Sequence, residues 1–240
     1  MLSLLIGLLS GAASAIFLIA LNWATNYRES HIWIIAFLPV AGFLIGWSYY
    51  LFGENSVKGN NLLLDELYKT EKPIPLRMTP LVLLGTILTH LFGGSAGREG
   101  TAVQMGGSLA DQLTRYFPLN PSDRRIIIIA GVSGGFASVF GTPLAGAIFA
   151  LEWMLHRQIR WKSLFPAFLT AFIANWVCAS LFGVGHTHYF IDLVPPHTFL
   201  NLLWIIPAGI AFGFSGRIFA QSTHFFSHQF SRFIKYPPLR

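Results

Sequence analysis

Residues 93–107 read Gly-Gly-Ser-Ala-Gly-Arg-Glu-Gly-Thr-Ala-Val-Gln-Met-Gly-Gly, which sets an arginine and a glutamate among glycines directly after an apolar segment ending near Phe92. A charge at membrane depth is costly, so it marks a functional site by default. The glycines let the backbone turn sharply and come close to a ligand. The residues after Glu99 have the pattern of a new short helix, and a helix N-terminus with unpaired N–H groups is an anion site. Glu99 at that end sets up a competition, because its carboxylate and a free anion seek the same N–H groups. Protonation neutralises Glu99 and frees it to swing away, which ties anion movement to proton movement. Gly97 and Gly100 leave room for the swing, and Thr101 can donate a hydroxyl hydrogen bond to the ion. Amide N–H groups of Asn60 or Asn61 could supply further donors, although either residue could instead simply cap the next helix. Gly97, Arg98 and Gly100 are candidate anion-binding residues of the same loop, although pairing with a carboxylate or with carbonyls would make Arg98 an anchor instead.

The elements that must carry this loop are membrane helices. Of 240 residues, 53% are hydrophobic and 11% charged, against about 25% charged in a soluble domain, which makes the chain an all-α polytopic membrane protein. The pI near 9.7 reflects basic residues dispersed at segment ends rather than a nucleic-acid patch. Cys178 is the sole cysteine, so there is no disulfide framework and no cysteine-based metal site. Spans of roughly 20 apolar residues are predicted at Leu4–Ala24, Ile32–Phe52, Leu164–Phe182 and Phe199–Phe219. The first carries a small-residue face of Gly7, Gly11, Ala12, Ala13 and Ala15. It reads as a membrane segment, with Ala12-Ala13-Ser14-Ala15 leaving a cleaved signal as the alternative. Pro39 and Gly42 predict a kink in the second span. A polar connection over Gly53–Arg77 holds a short helix at Leu62–Leu67. Thr79–Phe92 is too short to cross alone, Thr101–Tyr116 is a short helix, and Ile126–His156 reads as two helices broken by Gly134-Gly135 and by Gly141-Thr142-Pro143. The basic residues Arg157, Arg160, Lys162, Arg232, Lys235 and Arg240 place Gly183–Thr198 outside and the C-terminal tail inside. Interrupted apolar segments recurring in pairs point to a transport site.

At these residues the chain resembles the CLC family of chloride channels and anion/proton antiporters. Gly97-Arg98-Glu99-Gly100 matches the family's Gly-Arg-Glu-Gly signature, and Gly131–Glu152 matches its small-residue stretch leading to Pro-Leu-Ala-Gly and an acid. Three departures resemble the fluoride/proton antiporter branch, which exports fluoride from bacteria. Thr101 replaces a proline, Gly59-Asn60-Asn61-Leu62 stands where the family has Gly-Ser-Gly-Ile-Pro, and Trp153 follows Glu152 in place of a second glutamate. The resemblance implies an inverted-repeat fold with only the first repeat and the start of the second present, so that residues 1–240 form one incomplete membrane domain. It also implies halide and proton as substrates, a multi-pass place in the inner membrane, and a homodimer at full length. No cofactor is implied. A small, hard anion such as fluoride holds its water strongly, so the amide of Asn60 or Asn61 would serve as a strong replacement donor.

Other residues carry weaker signals. Thr142 and Glu152 are secondary candidates for the pathway, and Glu152 could equally be an ordinary interfacial acid. Gly134, Gly135 and Gly146 suit helix packing as well as an ion path. His186 and His188 lack neighbouring carboxylates and read as a solvated loop rather than a metal site. Gly93-Gly94-Ser95-Ala96-Gly97 also satisfies the hydrolase pattern Gly-x-Ser-x-Gly, which would make Ser95 the nucleophile of an intramembrane protease; that motif needs a preceding strand and a partner histidine, for which His90 is close in sequence.

Overall fold

The computed structural model describes residues 1–69, 72–153, 161–185, 190, 196 and 198–239. Ten α-helices occupy the described residues: α1 (Leu2–Ser30), α2 (Leu38–Phe52), α3 (Asn60–Lys69), α4 (Met78–Leu91), α5 (Arg98–Gln112), α6 (Pro121–Phe140), α7 (Pro143–Glu152), α8 (Trp161–Trp176), α9 (Phe199–Leu203) and α10 (Ile205–Phe233). Leu2–Ser30, Ile32–Phe52, Trp161–Leu181 and Phe199–Phe233 are long and apolar enough to cross a bilayer, as the sequence predicts. Helix α4, with 14 residues, reaches about 21 Å at 1.5 Å per residue, short of a bilayer core of about 30 Å.

The chain divides into two units, Met1–His186 and Thr187–Arg240. In the first, α6 is the axis, packed by α1, α5, α7 and α8. Burying apolar surface gives little drive between helices already in lipid, so close van der Waals packing must hold them. The sequence supplies it. A Cβ on Gly106 of α5 would overlap the Gly131 carbonyl of α6, and one on Gly135 would overlap the Ala102 carbonyl. On the other side, a Cβ on Gly7 would lie 2.6 Å from Ile173 Cγ2, and one on Gly11 would lie 2.6 Å from the Ala174 oxygen, so the small face of α1 receives α8. Leu63 of α3 seats over Gly107 and joins Ile74, Met78, Val103, Ile128 and Val132 in a buried cluster that fixes α3 on α5 and α6. In the second unit α9 leads into α10, which buries none of its residues.

Several expectations need correcting. Gly134-Gly135 does not break its helix: α6 runs unbroken from Pro121, capped by Asn120 Oδ1 accepting from the Asp123 N–H at 2.9 Å, to Phe140. A helical glycine costs about 1 kcal/mol, offset here by contact with the Ala102 carbonyl and with Thr170. The break falls at Gly141, whose φ of +69° is left-handed, and Pro143 then opens α7. Gly146 packs on Ala137, so all three of these glycines serve helix contact. Pro39 starts α2 after a 3₁₀ turn at Ile32–Phe37, because a proline in the first helical turn lacks only an N–H that has no partner there. Helix α5 begins at Arg98 instead of Thr101.

Candidate anion site

Helix α4 ends at Leu91, where Gly93 takes φ +81° and the Gly94 N–H bonds the Thr89 carbonyl at 2.8 Å. The chain then runs to Gly97, whose extended backbone (φ −74°, ψ 134°) caps α5. Arg98, Glu99 and Gly100 form its first turn. The Glu99 carboxylate folds back across the start of the helix, so that a Cβ on Gly97 would lie 2.8 Å from Glu99 Oε2. Gly97 therefore leaves the space that the carboxylate fills, and the positive end of the helix dipole lies beneath it. Arg98 is exposed and makes no ion pair among the described residues, unlike the paired anchor the sequence suggests. Thr101 is buried: its hydroxyl meets the Thr86 hydroxyl at 2.7 Å and donates to the Gly97 carbonyl at 3.3 Å, binding α4 to the first turn of α5.

A second helix start meets the first. A 3₁₀ turn at Glu54–Lys58 leads to Gly59, whose φ of +56° turns the chain into α3. Asn60 is then the first helical residue, and its Oδ1 is buried without a partner, so it caps nothing. Asn60 Nδ2 lies 3.6 Å from the point where Gly100 would carry a Cβ, and Gln104 Nε2 lies 3.8 Å from the same point. Asn61, next along α3, is exposed. Sequence reasoning overlooked Gln104. The signal was its spacing, since Gly97, Gly100 and Gln104 recur at helical intervals on one face of α5.

The far ends of these two helices share a buried clamp, also overlooked. Arg124 in the first turn of α6 holds Asp111 through Nε (2.7 Å) and Nη2 (2.8 Å), and Glu66 through Nη1 (3.2 Å). Its Nη2 also donates to the Lys72 carbonyl at 2.6 Å. Asp111 accepts the Ile74 N–H at 2.6 Å, and Glu66 accepts the Lys72 N–H at 3.0 Å. Burial opposes the charge on Arg124, but the hydrogen bonds and attraction of Asp111 and then Glu66 outweigh it and raise the guanidinium above its ordinary value. Glu66 and Asp111 lie near the C-terminal ends of α3 and α5. One guanidinium thus ties together two helices whose N-termini meet at Asn60 and Gly100.

The remaining candidates lie elsewhere. Thr142 and Glu152 occupy opposite ends of α7, a helix packed on α6 and α8. Both are exposed. A helix, not a strand, precedes Ser95, and His90 Nδ1 is bonded to the Thr86 carbonyl at 2.9 Å, so the nucleophile-elbow context is missing. His186 and His188 lie outside the described residues.

A family model described as voltage gated chloride channel matches residues 41–240. A chloride/fluoride channel protein of Pseudomonas syringae pv. tomato is 52% identical over 236 residues, spanning 98% of this chain and 52% of its own length. The H(+)/Cl(-) exchange transporter ClcA of Vibrio vulnificus is 28% identical over 236 residues, spanning 91% of this chain and 50% of its own. Among solved structures, a CLC-type fluoride/proton antiporter superposes with a TM-score of 0.91 at 36% identity, covering 99% of this chain and 60% of that one. A slow cyanobacterial Cl−/H+ antiporter superposes at 0.81 with 23% identity, a likeness of fold alone. The chain spans about half the length of the curated relatives it matches.

Proposed function

Because this chain belongs to the voltage-gated chloride channel family, whose members are channels and transporters rather than enzymes, we propose that it supplies the glutamate-gated half of a pathway exchanging fluoride for protons. The observation that carries this reading is the meeting of two helix N-termini, α3 and α5, around Gly100, with the Glu99 carboxylate folded over one of them. An ionised Glu99 occupies the positive end of α5 as an anion would. Protonation removes its charge and its hold on that end, and a halide takes the vacated place. Release of that proton to the opposite side restores the carboxylate, which returns to the helix end and expels the halide. Asn60, with its amide beside Gly100, is the donor that favours fluoride, since a strongly hydrated anion gives up water only to strong hydrogen-bond donors. The names of the Pseudomonas relative and of the antiporter structure agree with this substrate.

The assembled transporter, in this reading, pairs the chain with a second inverted repeat, on the same or a separate polypeptide, as a homodimer in the cell's inner membrane. Its relatives' greater length supports that pairing. Efflux from proteoliposomes holding equal fluoride and chloride, followed with the two ion-selective electrodes, tests the substrate. Fluoride efflux is expected to be the faster. Chloride efflux equal or faster would replace fluoride with chloride in the reading.

A further inference from the structure

Gln104 stands a full turn deeper on α5 than Gly100, half-buried, and the gating scheme gives it nothing to do. Its amide packs beside Gly59, with Nε2 at 3.4 Å and Oε1 at 3.9 Å from the place of a Cβ there. The same nitrogen lies near Gly100, as does Asn60 Nδ2. Two side-chain amides from two different helices thus converge on the space beside a glycine that has no side chain to fill it. Gly59 and Gly100 both clear room for them, and Gly59 can do so because its left-handed φ already excludes most other residues. The Asn60 Oδ1 atom is buried without a hydrogen-bond partner, so no bond from a protein donor fixes the rotation of the Asn60 amide through that oxygen.

We infer that Gln104 is a second anion donor, which with Asn60 forms a two-amide relay just inside the Glu99 gate and sets the preference for fluoride over chloride. This rests on the anion-site reading above. The physical reason is the pairing of donors with a dehydrating ion. Each N–H aimed at the anion replaces part of the lost water shell, and neutral amides do so without trapping the ion as a cation would. A small anion gains more from each short, strong hydrogen bond than a large one. Losing one donor must therefore slow fluoride more than chloride.

The test uses the assembled transporter in proteoliposomes, with fluoride, chloride and proton fluxes measured for wild type, Gln104→Met and Gln104→Glu. Gln104→Met keeps the length and removes the donor. Its fluoride flux is expected to fall about tenfold, the loss of one hydrogen bond to a charged group, while chloride falls by much less and the proton-to-anion ratio holds. Gln104→Glu keeps shape and packing but puts a negative charge in the relay, so both anions should slow severely. Calorimetric titration of the solubilised Gln104→Met protein with sodium fluoride should show weaker binding while its thermal unfolding midpoint stays at the wild-type value, which together separate lost donation from poor folding. An unchanged fluoride-to-chloride ratio in Gln104→Met, or wild-type fluoride flux in Gln104→Glu, would overturn the assignment while leaving a coupled wild type, and hence the gate, intact. A wild type that moves neither halide would overturn both.

Discussion

Replacing Arg124 by methionine removes the one cation of a buried cluster. Asp111 is fully buried and Glu66 only 8% exposed, so the variant strands two carboxylates that had shared three guanidinium contacts of 2.7–3.2 Å. Breaking a buried ion pair by removing one partner costs about 3–5 kcal/mol, and the Lys72 carbonyl loses its donor as well. Against a total stability of about 5–15 kcal/mol, that is a large share, equivalent to a fall in Tm of roughly 10 °C for a protein of this size. Arg124→Lys keeps the charge but not the fork that grips both Asp111 oxygens, so it should lie between the two. The assay is thermal unfolding of the purified protein in detergent, followed by intrinsic fluorescence from its seven tryptophans. The triple variant Arg124→Met, Asp111→Leu, Glu66→Leu should recover most of the loss, since no stranded charge remains. A Tm within about 2 °C of wild type for Arg124→Met, in a protein of this size where 1 kcal/mol moves Tm by 2–4 °C, would refute the clamp.

Gly97→Ala should displace the Glu99 carboxylate from the start of α5, because the added carbon falls 2.8 Å from Oε2; proton-coupled flux should drop severalfold with little change in Tm, and unaltered coupled flux would contradict the placement. Gly106→Val should drive α5 from α6 at the Gly131 carbonyl, and is expected to lose folded, monodisperse protein on size-exclusion chromatography. Recovery of normal yield and elution would show that this contact can yield.

The long helices were legible because a bilayer demands length and apolarity and little else, so α1, α2, α8 and α10 follow from hydropathy. The glycine loop that carries Glu99 was legible too, since a charged pair among glycines after an apolar run marks the break between two helices. What escaped depends on partners remote in sequence. Gly134-Gly135 looks like a helix breaker until Ala102 and Thr170 are set against it. Arg124 looks like a loop charge and Asp111 and Glu66 like polar positions of two short helices, separated by up to 58 positions, until the fold gathers them. Thr101 reads as an ion ligand in isolation, yet its hydroxyl is committed to Thr86 and Gly97. Gln104 reads as an ordinary polar residue until α3 brings Gly59 and Asn60 beside it.

In the proposed mechanism Glu99 is both the proton carrier and the occupant that an anion must replace. Glu99→Gln, an isosteric amide fixed in the neutral state, isolates that claim. Proton uptake and halide efflux measured together in proteoliposomes of the assembled transporter should show the halide gradient no longer driving protons, with any residual halide movement passive. Proton movement still coupled to halide movement at the wild-type ratio would contradict the account.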